Sequence, residues 1–524
     1  MKNMSHSNIR QVLKKGEDNC LNMLALILFT ALIIAVAYIW QQRSRLQKPF
    51  VSVPGPPALP LLGNVHQLVT KSSTEIFQYM QDLERAYGRV FKMDVMSQFW
   101  LFFTDANHIE QIMTGAEFNC KSDDYDMLVE WLGTGLLISC GNKWFTHRKA
   151  LTSAFHFKIL ENFAQVFDAK STILARKFLS AEGKSVKIFP LVKLCTLDVI
   201  VETAMGITSE AQTKQSCYTV AVEDIAAIVF RRMFDILYNT KWIFKLTSSY
   251  EPYRKHLKTI HQFTLGIIEK KRQALQEAGS TKVANSKEDF DVGLKSKQAL
   301  LDILLQANID GKPLTNEEVR EEVDTFMFAG HDTTASAITF ILFSLAKHPD
   351  IQQKVYEEVR SVFGESIDST TTLSNLNDLK YLELVIKESL RMFPPVPFIS
   401  RNTSKQVSLA GLTIPPNTNI SIGIYNMHHN PDYFPDPERF VPERFEAERG
   451  AEKLNPYAYV PFSAGGRNCI GQKFAMYELK ATISKVVRWC RVELDRPDYR
   501  LQLKAEMILK PMDEMPLKFY PRGE

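Results

Sequence analysis

The stretch Phe462-Ser-Ala-Gly-Gly-Arg-Asn-Cys-Ile-Gly471 places one cysteine, Cys469, in a glycine-rich loop just before a helical pattern. Gly465, Gly466 and Gly471 lack a Cβ, so this loop can wrap closely around one sulfur and point backbone N–H groups at it. The positive end of the following helix dipole favours thiolate over thiol. A single thiolate with no second cysteine nearby suits an axial position on haem iron, whereas a structural zinc site needs four protein ligands.

The composition limits the class of protein. The chain has 524 residues, 45% of them hydrophobic, which is enough for a large core. Its 63 basic and 59 acidic residues nearly cancel, so the charge does not imply a nucleic-acid partner. The cysteines are scattered and include no C-x-x-C pair, which argues against a disulfide scaffold and favours a reducing compartment. We predict small buried apolar positions for six of them: Cys20, Cys120, Cys140, Cys195, Cys217 and Cys490.

The N-terminal part carries a second strong signal. The uncharged run from Leu21 to Trp40 predicts a transmembrane anchor, because about 20 helical residues span the hydrocarbon layer of a membrane. A cleaved signal peptide is the alternative, but the run is too long for one and no small-residue cleavage site follows. The prolines of Pro54–Gly63 indicate a stiff linker. We divide the chain into a tail (1–20), an anchor (21–40), a basic and proline-rich hinge (41–64) and one large domain (65–524).

The large domain is predicted to be mainly α-helical with a minor β part. Strand-like runs cover Val90–Val95 and Phe99–Phe103, and others cluster between residues 396 and 424. The polar and charged residues 276–297 predict an exposed loop. The aromatic and basic stretch 228–245 has two interpretations, an interfacial membrane contact or a packed helix pair with solvated lysines.

Ala329-Gly-His-Asp-Thr-Thr334 lies in the middle of a predicted helix from Glu317 to about Lys347, between apolar flanks. Gly weakens a helix, and Thr hydroxyls bond back to carbonyls and bend it, so this centre is unusual for a buried helix. A buried Asp also needs a reason. Oxygen chemistry supplies one, since Asp332 and Thr333 can pass protons to bound dioxygen. The alternative is a polar helix face in an ordinary core.

Two residue pairs have the spacing of neighbours on one helix face. Glu388 and Arg391 form an E-x-x-R in apolar surroundings, where a buried ion pair needs further partners to offset desolvation. Trp144 and Arg148 offer an aromatic N–H donor and a guanidinium fork, which together suit a carboxylate. A surface contact is the alternative for each pair.

Together these motifs resemble the cytochromes P-450. Phe462–Gly471 matches the family signature F-x-x-G-x-R-x-C-x-G at every fixed position, and the hinge, W-x-x-x-R, A-G-x-D-T-T, E-x-x-R and P-E-R-F precede it in consistent order. The resemblance covers about residues 54–515. It implies the cytochrome P-450 fold preceded by a single transmembrane helix, and haem b (iron protoporphyrin IX) with Cys469 as the iron ligand.

The resemblance also implies roles for individual residues. Oxygen activation is expected of Asp332 and Thr333. Haem contacts, mainly to the propionates, are expected of Trp144, Arg148, Arg401, Phe462, Arg467 and Cys469. A structural triad is expected of Glu388, Arg391 and Arg444, with Arg439 as the alternative third member. We interpret His331 as structural, and His428 and His429 as possible auxiliaries to the haem contacts.

Glu322–Thr334 and Ala154–Phe157 resemble the family-4 branch, which is best known for fatty-acid ω-hydroxylation. Many members of that branch carry a Glu where this chain has Ala329 and use it to esterify the haem. We therefore expect the haem of this chain to be held non-covalently.

The implied function is that of a monooxygenase, which inserts one oxygen atom of O2 into a C–H bond of a lipophilic substrate: a fatty acid, a hormone-like lipid or a xenobiotic. NADPH-cytochrome P-450 reductase would supply the electrons at a basic patch with Lys143, Lys149 and Lys473, and cytochrome b5 is a further expected partner. Microsomal members are single-pass proteins of the endoplasmic reticulum membrane with the catalytic domain in the cytosol, and we expect the same here.

Two other classes of function stay open. A haem-thiolate isomerase or dehydratase would act on lipid peroxides without a reductase, and the intact Asp332–Thr333 pair argues against it. A non-catalytic haem sensor would need neither an anchor nor an oxygen motif. Oxygen uptake that depends on NADPH and reductase separates all three classes.

Overall fold

The structure is a computed structural model. It describes residues 22–38, 40–41, 44, 48–60, 62–95, 98–155, 157–214, 216–282, 299–309, 311–364, 366, 369–446 and 454–522. Helices dominate and strands are few, so the prediction of a mainly α-helical chain with a minor β part is confirmed.

The elements follow one another along the large domain. The α-helices are α1 (Val65–Leu68), α2 (Ser73–Tyr87), α3 (Ala106–Thr114), α4 (Val129–Leu132), α5 (Gly141–Thr152), α6 (Phe157–Leu179), α7 (Ile188–Ile200), α8 (Cys217–Phe234), α9 (Ile236–Asn239), α10 (Lys241–Phe244), α11 (Tyr250–Lys282), α12 (Leu300–Gln306), α13 (Asn316–Lys347), α14 (Pro349–Phe363), α15 (Leu373–Asp378), α16 (Lys380–Met392), α17 (Ile424–His428) and α18 (Gln472–Trp489). The strands are β1 (Val90–Val95), β2 (Gln98–Phe103), β3 (Val186–Lys187), β4 (Asn308–Ile309), β5 (Lys312–Pro313), β6 (Phe398–Asn402), β7 (Val407–Leu409), β8 (Leu412–Ile414), β9 (Asn419–Gly423), β10 (Cys490–Leu494), β11 (Leu503–Glu506), β12 (Ile508–Pro511) and β13 (Pro516–Pro521).

Helix α13 is the central helix and positions the site. Thr315 caps it through a capping box, in which the Thr315 hydroxyl accepts from the Glu318 N–H at 3.2 Å and the Glu318 carboxylate accepts from the Thr315 N–H at 2.8 Å. The helix ends at Lys347, two residues before the proline that begins α14. It packs against α7 and α18, and side chains from Val319 to Ala346 are buried on nearly all sides. The predicted helix over this stretch is therefore confirmed.

A four-stranded sheet lies beside the helical core in the order β1-β2-β9-β6. β2 pairs with β9 in parallel, and the other two pairings are antiparallel. An isolated bridge between Cys120 and Asn402 joins the segment after α3 to the end of β6. This bridge brings Cys120 next to the strand that carries Arg401.

The structure corrects two sequence-based expectations. Helix α11 continues to Lys282, so residues 276–282 are helical. Gln276, Glu277 and Ala278 are good helix formers, and the helix extends past them through weaker formers at 279–281. The rest of the predicted loop, 283–297, lies outside the described residues.

The second correction concerns the cysteines. Cys120 and Cys140 are bonded to each other and Cys217 is exposed, whereas Cys195 and Cys490 are buried as predicted. Cys20 lies outside the described residues. The pairing escaped prediction because Cys120 and Cys140 lie 20 positions apart in the sequence and only the folded chain brings them together.

The predicted anchor lies only partly within the described residues. Residues 22–38 are helical and expose their apolar side chains, among them Leu24, Ile27 and Phe29. No helix among the described residues combines the length and apolar character that a membrane span requires. The anchor over residues 21–40 therefore stays a prediction.

Candidate functional site

A cavity of about 290 Å³ lies between the loop of Cys469 and the middle of α13. Its wall is mostly apolar, with side chains such as Leu136, Phe326, Val396 and Ile399. The predicted residues Trp144, Arg148, Thr333, Arg401, Phe462, Arg467 and Cys469 all contribute to this wall.

The cysteine loop is folded by its glycines and by its own backbone. The Cys469 N–H donates to the Phe462 carbonyl at 2.8 Å, which closes the loop. Gly465 has a φ of +66°, and a Cβ at this position would collide with the carbonyl of Met113 on α3. Glycine is therefore required there for both conformation and space.

The Cys469 thiol is open to the cavity and enclosed by protein on its other sides. Burial raises its pKa above the usual range, while the Gly471 N–H and the Arg148 guanidinium act to lower it. Burial has the larger effect on this pKa. A metal ion bound at this sulfur removes the proton outright, since a coordinating thiol is deprotonated.

Helix α5 holds the loop through Arg148, which donates to the Asn468 carbonyl at 2.8 Å and to the Asn468 side-chain oxygen at 2.6 Å. Trp144, one turn earlier, packs against the Arg467 guanidinium, whose central carbon lies 4.3 Å from the ring centroid. The W-x-x-x-R pair therefore joins α5 to the cysteine loop as well as lining the cavity.

Arg467 uses most of its donors on backbone carbonyls. It donates to the Asn119 carbonyl at 2.9 Å, to the Ser139 carbonyl at 2.5 Å and to the Leu136 carbonyl at 3.4 Å. Burial, together with Arg401 and Arg148, lowers its pKa to about 9. Its position is therefore fixed by the segment around residues 119–139, and its cationic charge faces the cavity.

Lys121 and Tyr125 are among the cavity residues that the sequence did not reveal. Burial and the nearby Arg401 and Arg467 hold the pKa of Lys121 well below its usual range. No motif marks this segment. It meets Arg401 because Cys120 pairs with Asn402 at the end of β6 and Asp123 accepts from Asn419 on β9.

The chemistry of the cavity wall fits a haem. Lys121, Arg148, Arg401 and Arg467 line it, whereas no Asp or Glu does so among the described residues. Buried cations need anionic partners, and the two propionates of a haem supply negative charge. The apolar remainder of the wall suits a porphyrin ring, and Cys469 suits its iron.

Asp332 and Thr333 point in different directions. Thr333 lies in the cavity wall, and its hydroxyl donates to the Ala329 carbonyl at 2.7 Å. Asp332 is fully buried and does not line the cavity. The structure therefore brings Thr333 to the site but not the carboxylate of Asp332.

The Asp332 carboxylate lies between two buried lysines. Its oxygens are 3.8 Å from the Lys193 ammonium on α7 and 3.9 Å from the Lys510 ammonium on β12. Burial raises the pKa of Asp332, but Lys510 and Lys193 outweigh this effect and hold the pKa below its usual value. Lys193 also pairs with the partly exposed Glu223 at 3.0 Å. The carboxylate is therefore ionised and held behind the central helix.

The E-x-x-R residues meet a third partner. Arg391 donates to both Glu388 oxygens at 2.8 and 2.9 Å, and Arg444 donates to Glu388 at 3.3 Å. Glu388 and Arg391 are fully buried. Arg439, the alternative third member, lies on the surface beside Asp436.

The histidines considered from the sequence have local partners. The ring of His331 is buried and bonds the Met327 carbonyl through Nδ1 at 2.8 Å. His428 accepts from the Val460 N–H at 3.0 Å, and His429 bonds the Tyr425 carbonyl at 2.9 Å. None of the three contributes to the described wall of the cavity.

The predicted reductase patch is only partly free. Lys149 and Lys473 are exposed, while Lys143 pairs with Glu321 at 3.2 Å. In the stretch 228–245, Trp242 is strongly exposed, and so is Leu246, the residue that follows the stretch. Arg232, by contrast, is buried against aromatic rings.

Known proteins match this chain along nearly its whole length. A family model described as Cytochrome P450 matches residues 53–519. Cytochrome P450 4d2 of Drosophila melanogaster is 42% identical over 96% of this chain and 99% of the relative. Cytochrome P450 4c3 of the same species is 41% identical over 95% of this chain and 94% of the relative. Cytochrome P450 4c21 of Blattella germanica is 38% identical, over 94% and 97%.

Proposed function

We propose that this chain, a haem-thiolate monooxygenase that belongs to the family-4 branch of the cytochrome P450 family, acts on a lipophilic substrate. It inserts one oxygen atom of O2 into a C–H bond of that substrate. The supporting observation is one mostly apolar cavity whose wall contains both Cys469 and Thr333. An apolar wall favours a fatty acid, a hormone-like lipid or a xenobiotic over a polar metabolite.

We assign haem b to this cavity, with Cys469 as the residue that would ligate its iron. When bound, the haem supplies the iron at which dioxygen is activated. Arg148, Arg401 and Lys121 are the cations that we expect at the propionates. Arg467 adds charge and, through its three carbonyl contacts, fixes the cavity wall. Phe462 and Trp144 complete the contact surface beside the loop.

Within the cavity, Thr333 is the group of the Asp332–Thr333 pair that can pass a proton to a bound molecule. Its hydroxyl is tethered to the Ala329 carbonyl and faces the cavity. The ionised Asp332 carboxylate can relay a proton only after it accepts one and its side chain turns away from Lys193 and Lys510. We propose the Glu388–Arg391–Arg444 triad as a structural brace of the haem-binding core.

We propose that the haem is held without a covalent link to the protein. Ala329 lies in the cavity wall, where its methyl group offers no nucleophile for an ester. The ties are then the bond from Cys469 to iron, the propionate contacts and apolar packing.

We propose NADPH-cytochrome P450 reductase as the electron donor, docking at exposed Lys149 and Lys473, with cytochrome b5 as a second partner. The exposed apolar side chains of residues 22–38 support a single membrane anchor. On this proposal residues 65–524 are the catalytic domain, on the cytosolic side of the endoplasmic reticulum membrane.

The test is reconstitution of the full chain in phospholipid vesicles with a NADPH-cytochrome P450 reductase. A panel of fatty acids and terpenoids is first screened for a spectral shift of the haem, and oxygen uptake is then measured with each binder. Uptake that requires NADPH, reductase and substrate supports the proposal. Turnover of lipid hydroperoxides without reductase, with no NADPH-dependent uptake, would contradict it and favour an isomerase or dehydratase.

A further inference from the structure

Cys120 and Cys140 bracket a segment, residues 121–139, that forms one wall of the haem cavity. The two cysteines are joined by a disulfide, with Cα atoms 5.2 Å apart, inside the usual range. The segment contributes Lys121, Tyr125 and Leu136 to the cavity wall. The bond therefore closes a loop that carries one of the proposed propionate contacts.

Both cysteines are also positioned by contacts that do not depend on their bond. Arg467 donates to the carbonyls of Asn119 and Ser139, the residues immediately before the two cysteines. The Cys120 carbonyl accepts from the Asn402 N–H at 3.0 Å, beside Arg401. Two thiols held in this way face each other at high effective concentration, which favours their oxidation as a pair.

The pair is accessible to small thiols. Cys140 is exposed and Cys120 is half-buried, and neither lines the haem cavity. In a reducing compartment a disulfide is usually transient and redox-sensing. A bond with an exposed sulfur exchanges with thiols by attack of a thiolate.

We propose that Cys120 and Cys140 form a redox-reversible cross-link that holds the segment 121–139 against the cavity in which the haem would lie. In the oxidising direction, one protein thiolate attacks glutathione disulfide and releases glutathione. The second protein thiolate then displaces another glutathione. One protein S–S bond forms, one low-molecular-weight S–S bond breaks, and two thiols are released. Excess glutathione reverses both steps.

This inference rests on the proposed haem binding and predicts how the haem is retained. With the cross-link closed, the segment has fewer accessible conformations, so Lys121 and Tyr125 stay at the cavity. With the cross-link open, the segment keeps its hydrogen bonds and the buried side chains of Leu128, Trp131 and Leu132. The part next to Cys120, with Lys121 and Tyr125, then has more freedom to leave the cavity wall, and the haem escapes more easily. We expect the haem to leave the oxidised protein more slowly, by roughly threefold or more.

The experiment uses the full-length haem-loaded protein in detergent, equilibrated with glutathione mixtures from reducing to oxidising. Differential alkylation and mass spectrometry report the state of Cys120 and Cys140. Transfer of haem to excess apomyoglobin reports its rate of loss from the same samples. We expect the rate of haem loss to fall in step with formation of the cross-link.

Variants sharpen the test. In every glutathione mixture, the Cys120→Ser and Cys140→Ser variants should lose haem as fast as the unmutated protein does when its cross-link is open. Cys217→Ser removes another exposed cysteine, on α8, and should keep the full redox dependence. The inference is overturned if both thiols stay alkylatable under oxidising conditions, or if the bond forms and the rate of haem loss does not change. These outcomes come from the unmutated protein, so they hold even if a variant fails to fold. A chain that binds no haem in any mixture contradicts the proposed function instead.

Discussion

Asp332 and Thr333 are adjacent in the sequence, yet their side chains lie on different sides of the central helix. Thr333 shares the cavity wall with Ala329 and Ala337, which precede and follow it by one helical turn. Asp332 shares the other side with Ser336, whose hydroxyl donates to the Leu509 carbonyl on β12 at 2.7 Å. Adjacent residues of a helix are about 100° apart, so one short motif serves two separate environments.

The two residues therefore have separable roles. On the cavity side, a polar side chain meets the place where substrate and cofactor are proposed to lie. On the back side, a carboxylate lies between two buried lysines and offsets part of their charge. A substitution on the cavity side should therefore affect the chemistry, and one on the back side should affect stability.

The largest effect is expected for Cys469→Ser, in the loop that forms part of the cavity wall. A serine hydroxyl is a far weaker and largely protonated ligand, so thiolate ligation should be lost altogether. The carbon-monoxide complex of the reduced protein should lose its strongly red-shifted Soret band. Cys195→Ser, which changes a buried cysteine outside the cavity, is the matched control and should keep the band. Persistence of the band in Cys469→Ser would mean that another residue ligates the iron.

On the back side, Asp332→Asn should destabilise the protein by ~3 kcal/mol, because breaking a buried ion pair leaves charge uncompensated. Lys193 keeps Glu223, but the Lys510 ammonium has no hydrogen-bond partner among the described residues. Thermal loss of the haem spectrum measures the change. The double variant Asp332→Asn, Lys510→Met removes the stranded charge and should recover part of the loss. No change in stability would show that the buried lysines do not need this carboxylate.

The same comparison predicts a pH dependence. Because the folded-state pKa of Asp332 lies below its usual value, the ion pairs contribute fully above about pH 4, the usual pKa of an Asp. The contribution is lost as the pH falls through the lower folded-state pKa. Stability measured against pH should therefore decline less steeply on the acid side in Asp332→Asn than in the unmutated protein. Parallel acid limbs would contradict the lowered pKa.

On the cavity side, Thr333→Ala should leave stability nearly unchanged and disturb proton delivery. We expect product formed per NADPH consumed to fall roughly tenfold, with the difference appearing as peroxide or water. Thr333→Ser retains the hydroxyl and should keep most of the coupling. Equal coupling in the Ala and Ser variants would show that the hydroxyl has no part in the mechanism. The two sides of the helix would then differ only in their effect on stability.

Regions that depend on contacts between neighbouring residues could be predicted from the sequence, whereas regions that depend on contacts between distant residues could not. The loop of Cys469 and the caps of α13 depend on neighbouring residues, so glycine positions and capping residues reveal them. The helical repeat alone predicts that the Asp332 side chain points away from the cavity side, because Ala329 and Thr333 are four residues apart and share that side. Lys121 and Cys140 could not be found in this way. Their positions depend on Arg467 and on the end of β6, more than 250 residues away in the chain.

The smallest effect is expected at Ala329, the cavity-side neighbour of Thr333. Its methyl group cannot form an ester, so acidified organic solvent should extract essentially all of the haem, since acid protonates the thiolate and the propionates. Mass spectrometry of the denatured chain should then show no haem mass, before or after turnover. Ala329→Glu places a carboxylate on the cavity side and should create a covalent fraction that grows with turnover. Asp332 provides the internal contrast, because a carboxylate already stands three residues away but faces the lysines. A stable haem adduct in the unmutated chain would contradict the non-covalent attachment and require another nucleophile, with Asp332 the first to be tested. An adduct mapped to Asp332 would also contradict the division between the two sides of the helix.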